Sequence, residues 1–150
     1  MITIMNICEI LENGNIIWIR GALQYFYGWR CECIQQKCNI DLQPNVIGPG
    51  AHIVHGKIVV NAYSKIEKNC KILSDVTIGV SGRKNQEGAP VIGDNIFVGT
   101  GVRIIGNIII ADNVVIGANA VVTKSITEKG IIVAGIPAKK ISDVGSEMYI

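Results

Sequence analysis

The chain is poor in aromatic and charged residues. Aromatics make up 5% and charged residues 17% of its 150 residues, so its core must be aliphatic. The net charge is only +2, and no Lys/Arg-rich run is interleaved with aromatics, which excludes the usual signature of nucleic-acid binding. Apolar residues reach 49%, and there are 17 glycines. This composition favours a β architecture with tight corners over a helical bundle.

Metal-binding side chains are also scarce. The chain has two histidines and five cysteines. Cys31, Cys33 and Cys38 are close in sequence, but their spacing matches no common zinc pattern and no histidine lies near them, so we expect buried or half-buried thiols on a helix and no metal. The first residues lack a basic start followed by a long apolar run, so we expect a reduced, cytoplasmic protein.

A six-residue repeat is the strongest feature of the sequence. Its first position is always aliphatic: Ile92, Val98, Ile104, Ile110, Ile116 and Val122. Its fifth position is small or aliphatic: Ile96, Val102, Ile108, Val114, Ala120 and Ile126. Its fourth position holds Asn95, Gly101, Asn107, Asn113, Asn119 and Ser125. Asn and Gly tolerate positive φ best, so a sharp corner is expected at the fourth position.

The repeat continues towards the N-terminus with two irregularities. Ile66, Ile72 and Ile78 keep the spacing, and one residue too many separates Ile53 from Val60. Ile78 and Ile92 are 14 residues apart, two more than two repeats, and the polar stretch 81–90 between them reads as a projecting loop. Three short strands per 18-residue turn fit this period, so the sequence predicts a parallel solenoid whose coils stack on an aliphatic core.

The segments IGDNIF, VGTGVR and IGANAV resemble the hexapeptide-repeat acetyltransferase family. The resemblance covers about residues 41–141 and implies a mainly β, left-handed parallel β-helix that works as a homotrimer. We expect an N-terminal helical cap over 1–40, the β-helix over 41–141 with a loop over 79–91, and a tail over 142–150. The cap stretch 15–38 is rich in bulky side chains, which pack on the first coil or, alternatively, touch a membrane weakly.

The family resemblance also points to a general base. HIVHGKIVV is similar to the catalytic stretch of serine acetyltransferases, and on that match His55 takes the proton of the attacking alcohol. The resemblance implies that Asp41, 14 residues upstream, orients the imidazole. His52 is the alternative base, and the backbone amides of Gly79 and Val80 are candidate oxyanion donors.

The donor implied by the resemblance is acetyl-CoA, bound between subunits. VGTGV places Thr100, and IGANAVVTK places Ala118, along the pantetheine arm. The resemblance places four further residues at the nucleotide end of the donor: Thr123, Lys124, Lys139 and Lys140. Cations in a nearly uncharged groove suit a phosphorylated nucleotide.

Three departures from serine acetyltransferases concern the acceptor. The stretch ahead of the repeats is shorter than their helical domain, Val54 stands where they have Asp, and Gly88–Ala89 stand where they have Arg-His. We therefore expect direct acetyl transfer to a sugar hydroxyl of a capsule or lipopolysaccharide precursor. Serine O-acetylation is the alternative, with which the terminal Ile150 agrees. Two other classes of protein are alternatives. A zinc enzyme of the γ-carbonic anhydrase type needs three histidines, and this chain has two. The other alternative is a non-catalytic scaffold.

Overall fold

Short strands stacked on three sides form the framework of the protein. The computed structural model describes residues 28–30, 32–82 and 88–150. A helix, α1, occupies 28–30 and 32–38, and a 3-10 helix occupies Ser146–Met148. The strands are β1 (Ile40–Asp41), β2 (His52–Ile53), β3 (Ile58–Val60), β4 (Lys65–Ile66), β5 (Lys71–Ile72), β6 (Val76–Gly79), β7 (Val91–Ile92), β8 (Phe97–Val98), β9 (Arg103–Ile105), β10 (Ile109–Ile110), β11 (Val115–Ile116), β12 (Val121–Val122), β13 (Ile132–Ala134) and β14 (Lys139–Ser142).

The strands form three sheets, one on each side of a triangular prism. Sheet A has the order β1-β3-β6-β9-β12, sheet B has β4-β7-β10, and sheet C has β2-β5-β8-β11-β13-β14. Every pair is parallel except β13 with β14, which is antiparallel. The chain thus visits sheets C, A and B in turn, and each visit adds one strand to the same edge of each sheet. The predicted parallel solenoid is confirmed.

The first position of the repeat forms the core. All six of its residues between Ile92 and Val122 are buried, and Ile66, Ile72 and Ile78 continue the same rows. The fifth position is buried as well, except at Ile126, which is partly buried. Full burial of one aliphatic side chain stabilises a fold by about 1.5–3 kcal/mol, so these rows carry most of the folding energy.

The corner prediction is correct at two of the three corners. Asn95, Gly101, Asn113 and Asn119 have positive φ, as expected. The prediction is wrong for Asn107 and Ser125, which lie at the corner between sheets A and B and do not have positive φ. At this corner Gly106, one residue earlier, takes φ 112°, because the chain turns before Asn107 is reached.

The loop after β6 lies within one repeat rather than two. Thr77 pairs with Arg103, a step of 26 residues, whereas Ile58 pairs with Val76 and Arg103 with Val121, steps of 18. The interpretation of the gap as two repeats plus two residues is therefore wrong, since eight extra residues enter a single repeat. Residues 83–87, like residues 1–27 and 31, lie outside the described part.

The C-terminal tail packs on the outer face of sheet C. Ser146 is buried, and its backbone N–H donates to the Asn113 carbonyl oxygen at 3.2 Å. The ring centroid of Tyr149 lies 5.0 Å from that of Phe97, and Lys71 Nζ donates to the Tyr149 carbonyl oxygen at 2.8 Å. The tail therefore covers outward-facing side chains of sheet C.

Candidate functional site

One corner of the prism brings together most of the predicted site. The C–A corner, where the chain passes from sheet C to sheet A, consists of residues 54–57 and of the three-residue stretches 73–75, 99–101 and 117–119 above them. Backbone hydrogen bonds of 2.8–3.0 Å stack it, from Val54 N–H to Ile72 O and upward through each coil to Val133 O. Ser74, Thr100 and Ala118 occupy successive levels of one column, which Gly56 continues at the lowest level with His55 beside it.

An extra residue makes the lowest level of the C–A corner different from the others. Four residues, 54–57, separate paired Ile53 from paired Ile58, whereas three, 73–75, separate Ile72 from Val76 one coil above. The corner must bulge to hold the additional residue, and His55 is exposed within it. A side chain at Gly56 would lie 1.9 Å from the Cys38 carbonyl oxygen, so glycine is required beneath the bulge.

Thr100 and Ala118 leave an open, neutral surface above His55. Both are exposed, and Ser74 Oγ contacts Thr100 Oγ1 at 3.5 Å. Gly99 is buried, and a Cβ there would lie 2.7 Å from the Ala118 backbone nitrogen. Small residues thus keep successive coils in close approach along the corner, and a thin ligand can lie along it.

The two histidines lie on different surfaces. His52 is exposed in β2, on the outer face of sheet C, and pairs with Lys71. His55 lies past the end of that strand, in the C–A corner. His55, and not His52, therefore shares the C–A corner with Thr100 and Ala118.

Asp41 does not contact His55 in this structure. It is exposed in β1 and pairs with Val59 of β3. Within the described residues, no hydrogen bond or ion pair joins the Asp41 carboxylate to the His55 ring. The orienting role of Asp41 stays a prediction.

Gly79 and Val80 lie at the far end of sheet A. Gly79 ends β6, and its carbonyl oxygen accepts from Gly106 N–H at 2.8 Å, at the corner between sheets A and B. The width of sheet A separates these amides from the C–A corner of the same chain. An oxyanion role for them stays a prediction.

The predicted nucleotide-end residues differ in how they are engaged. Thr123 and Lys124 follow β12 and are exposed. Lys139 is exposed in β14, beside the Ala138 N–H that donates to Val121 O at 2.8 Å. Lys140 binds the carboxylates of Glu128 and Asp143, which raise its pKa. The charge of Lys140 is therefore already paired with carboxylates, which favours Lys124 and Lys139 as partners for a phosphate.

A groove of about 610 Å³ lies between α1 and the outer face of sheet A. Its lining includes the carboxylates Glu32, Asp41 and Asp75 and the cation Lys57. The remaining lining residues are amides, a hydroxyl and aliphatics: Gln35, Gln36, Asn39, Ile40, Val59 and Thr77. A polar groove with both charge signs accommodates a hydrophilic ligand next to the C–A corner.

Sequence reasoning missed an ion pair at the upper end of this groove. Arg103 Nη2 lies 3.2 Å from both Asp75 carboxylate oxygens, and Arg103 Nη1 donates to the Asp75 carbonyl oxygen. Asp75 is the fourth, corner residue of the repeat that begins at Ile72 and has positive φ, which gave no sign of an ion pair. Arg103 carried no signal, because its contact crosses the loop insertion and spans 28 residues.

The described thiols and acids form no metal centre. Cys33 and Cys38 lie in α1, and Cys70 is buried in the core, while Cys8 and Cys31 lie outside the described residues. In ranges 28–30, 32–82 and 88–150, no group of three or more His, Cys, Asp or Glu side chains is placed to hold a metal ion.

Comparisons with known proteins agree with this fold. Residues 89–124 match the protein family described as "Bacterial transferase hexapeptide (six repeats)". The serine acetyltransferase of Mycobacterium tuberculosis is 31% identical over 127 residues, 83% of this chain and 55% of that protein. The chain belongs to the hexapeptide-repeat transferase family. The left-handed parallel β-helix predicted from the resemblance is confirmed.

Other members of the family give the same answer. The serine acetyltransferase of Staphylococcus xylosus is 36% identical over 108 residues, 71% of this chain and 50% of that protein. The crystal structure of the Brucella abortus serine acetyltransferase in complex with coenzyme A superposes with a TM-score of 0.75 and 29% identity, covering 96% of this chain and 55% of that one. The chain spans about half the length of the curated relatives it matches.

Four bulky residues of the expected cap fall outside the described part: Trp18, Leu23, Tyr25 and Phe26. Of residues 1–40, the structure describes only α1 and the two residues that follow it. Within the part that is described, α1 and the C-terminal 3-10 helix are too short to cross a bilayer, and no other helix qualifies.

Proposed function

We propose that this protein is an acetyl-CoA-dependent O-acetyltransferase with His55 as its general base. The observation that carries the proposal is the C–A corner, in which His55 lies at the lowest level, beneath the column of Ser74, Thr100 and Ala118. A thioester lying along that column would end beside an imidazole. This is the one arrangement that direct acyl transfer to an alcohol requires.

The proposed reaction needs no covalent enzyme intermediate. His55 accepts the hydroxyl proton while the acceptor oxygen bonds to the thioester carbonyl carbon. The carbon–sulfur bond then breaks, and the imidazolium returns its proton to the departing thiolate. Backbone N–H groups meet the charge on the carbonyl oxygen in reactions of this kind, and Asp41 is proposed to orient His55 only after a movement that brings the two together.

The proposed donor is acetyl-CoA, whose arm follows Thr100 and Ala118. Lys124 and Lys139 are proposed for the phosphates and Thr123 for the nucleotide end. Lys140 takes part only if it leaves Glu128 and Asp143. The relative from Brucella abortus was crystallised with coenzyme A, which supports this donor.

Serine is the proposed acceptor, and this replaces our expectation of a sugar hydroxyl. The matched relatives are named serine acetyltransferases, and the soybean enzyme, 25% identical with a TM-score of 0.72 and covering 92% of this chain and 54% of that one, was solved in complex with serine. No comparison supports a role in capsule or lipopolysaccharide synthesis. The departures at Val54, Gly88 and Ala89 mean that a serine would be held by other side chains here.

A homotrimer in the cytoplasm is proposed as the working form. The open C–A corner supports it, because a second subunit would supply the wall that shields the thioester from water. A weak membrane contact through the cap stays a prediction, since the residues on which it rests lie outside the described part.

Thiol release from acetyl-CoA tests the proposal. The purified protein is incubated with serine, with hexoses and amino sugars, and without acceptor, and free thiol is followed over time. We expect acceptor-dependent release with serine, and O-acetylserine in the product by mass spectrometry. Release with sugars alone would restore the sugar hypothesis, and no release with any acceptor would refute the enzyme assignment.

A further inference from the structure

An ion pair at the C–A corner has the chemistry of an amino-acid site. Asp75 lies one coil and Arg103 two coils above the bulge that holds His55, and Asp75 N–H donates to the Gly56 carbonyl oxygen at 3.4 Å. Asp75 is thus linked through one hydrogen bond to the residue next to His55. Its neighbour Ser74 contacts Thr100 in the proposed donor column.

Both charges remain accessible despite their contact. The side chain of Arg103 is 37% exposed and that of Asp75 is 55% exposed. The carboxylate lies 3.2 Å from Nη2, longer than the 2.7–2.9 Å of a strong charge-assisted bond. A guanidinium has five N–H donors in a planar fork, so Arg103 can hold a second carboxylate while it keeps the Asp75 backbone.

The groove beside the pair is suited to an ammonium group. Glu32, Asp41 and Asp75 supply three carboxylates against the single cation Lys57. Of the arginines in the described ranges, Arg30 lies in α1, and Arg103 lies at the corner. A guanidinium at the rim of a groove with excess negative charge offers one partner to each end of a zwitterion.

We propose that Asp75 and Arg103 bind the α-ammonium and the α-carboxylate of the acceptor amino acid, and so set specificity for a zwitterion. This inference rests on the proposed acetyl transfer to serine. Binding at both ends would hold the hydroxyl of a small amino acid beside the bulge that carries His55. Neither residue touches the reacting atoms, so both are specificity residues rather than catalytic ones.

The test compares serine with analogues that lack one charge. Serinamide has no carboxylate, and 3-hydroxypropionate has no ammonium. A hydrogen bond to a charged group contributes about 1.5–3 kcal/mol, which is roughly 10- to 150-fold in kcat/KM. We expect Arg103→Gln to lower kcat/KM for serine by that factor and to leave serinamide unchanged. Asp75→Asn should lower kcat/KM for serine by the same factor and leave kcat/KM for 3-hydroxypropionate unchanged.

Matched variants separate recognition from folding. Lys129 and Asp112 form an ion pair, 2.5 Å apart, which also links two coils but is located away from the C–A corner. Lys129→Gln should keep the preference of the wild type for serine over serinamide. Arg103→Lys keeps a cation but loses the planar fork of donors, so its kcat/KM for serine should lie between those of wild type and Arg103→Gln. Thermal melting and the KM for acetyl-CoA should stay close to wild type in every variant that is scored.

The outcomes distinguish the two proposals. If wild type acetylates serine but Arg103→Gln keeps its preference over serinamide, the ion pair only links coils and the inference fails alone. If Arg103→Gln is unfolded, the inference stands or falls on Arg103→Lys and Asp75→Asn. If wild type acetylates sugars and not serine, the zwitterion site is refuted while acyl transfer stands. If no acceptor is acetylated, the proposed function fails first.

Discussion

The buried rows of the solenoid can be tested at Ile104. This side chain is fully buried in β9 and lies between Ile78 below and Val122 above in the same row of sheet A. Ile104→Ala removes atoms from the middle of the row. The neighbouring coils are joined by backbone hydrogen bonds, such as Arg103 N–H to Ala120 O at 2.9 Å, so they cannot collapse freely into the space.

The cost follows from transfer and cavity together. Three carbons leave the core, at about 0.8 kcal/mol for each buried CH₂. A cavity that cannot relax adds to this, and the range measured for such truncations is about 2–5 kcal/mol. We expect the upper half of that range, because the solenoid core is one narrow column with packed coils on both sides.

Urea unfolding followed by far-UV circular dichroism at one fixed protein concentration measures the effect. Ile141→Ala is the matched control, since Ile141 is 65% exposed in β14 and the same atoms are removed. We expect a change within about 0.5 kcal/mol for this control. An Ile104→Ala variant as stable as Ile141→Ala would refute the continuous aliphatic core.

Three further predictions concern single sites. Burial raises the pKa of the Cys70 thiol to about 11, so iodoacetamide at pH 8 should label Cys70 only as fast as the protein unfolds, which peptide mass spectrometry measures; rapid labelling of the native protein would contradict this. The Lys129 ammonium lowers the pKa of Asp112 below its usual 3.8, so this pair stabilises the fold above that pH and the contribution disappears as the pH falls through the lowered value. Urea midpoints of wild type and Asp112→Asn should therefore differ at pH 6 and converge in acid, and a constant difference would be inconsistent with that sign. Gly56→Ala forces a Cβ towards a backbone oxygen at 1.9 Å, whereas Gly79→Ala meets nothing within 4 Å; the first should lose about 1–3 kcal/mol of stability, and equal melting temperatures would show that the bulge adapts.

The sequence alone predicted the solenoid because its signal is repeated many times. Apart from the loop between Ile78 and Ile92, each inward position from Ile66 to Val122 repeats the same six-residue step, so a single irregularity does not hide the pattern. The positive φ of Asn95 and Asn113 followed from the same repetition. Asn107 was misassigned because Gly106 precedes it, and a glycine takes the left-handed conformation at no steric cost.

The candidate site was only partly predictable. Thr100 and Ala118 lie in one column because the repeat fixes their level and corner, whereas His55 lies at the lowest level of that corner in the stretch where the repeat is interrupted. The Asp75–Arg103 pair depends on how many residues the loop inserts into one repeat, which spacing alone did not reveal. Asp41 keeps the regular step, 18 residues before its partner Val59, but that register does not reveal whether its carboxylate meets His55, which lies in the irregular corner.

The kcat of thiol release with serine tests the general base most directly. His55→Asn keeps a polar side chain of similar size without a base, and His52→Asn is its matched control on sheet C. Loss of a general base lowers turnover by about 100- to 10,000-fold, so His55→Asn should fall by that factor with coenzyme A binding unchanged, while His52→Asn stays at the wild-type rate. A His55→Asn variant that turned over serine as fast as wild type would contradict the account.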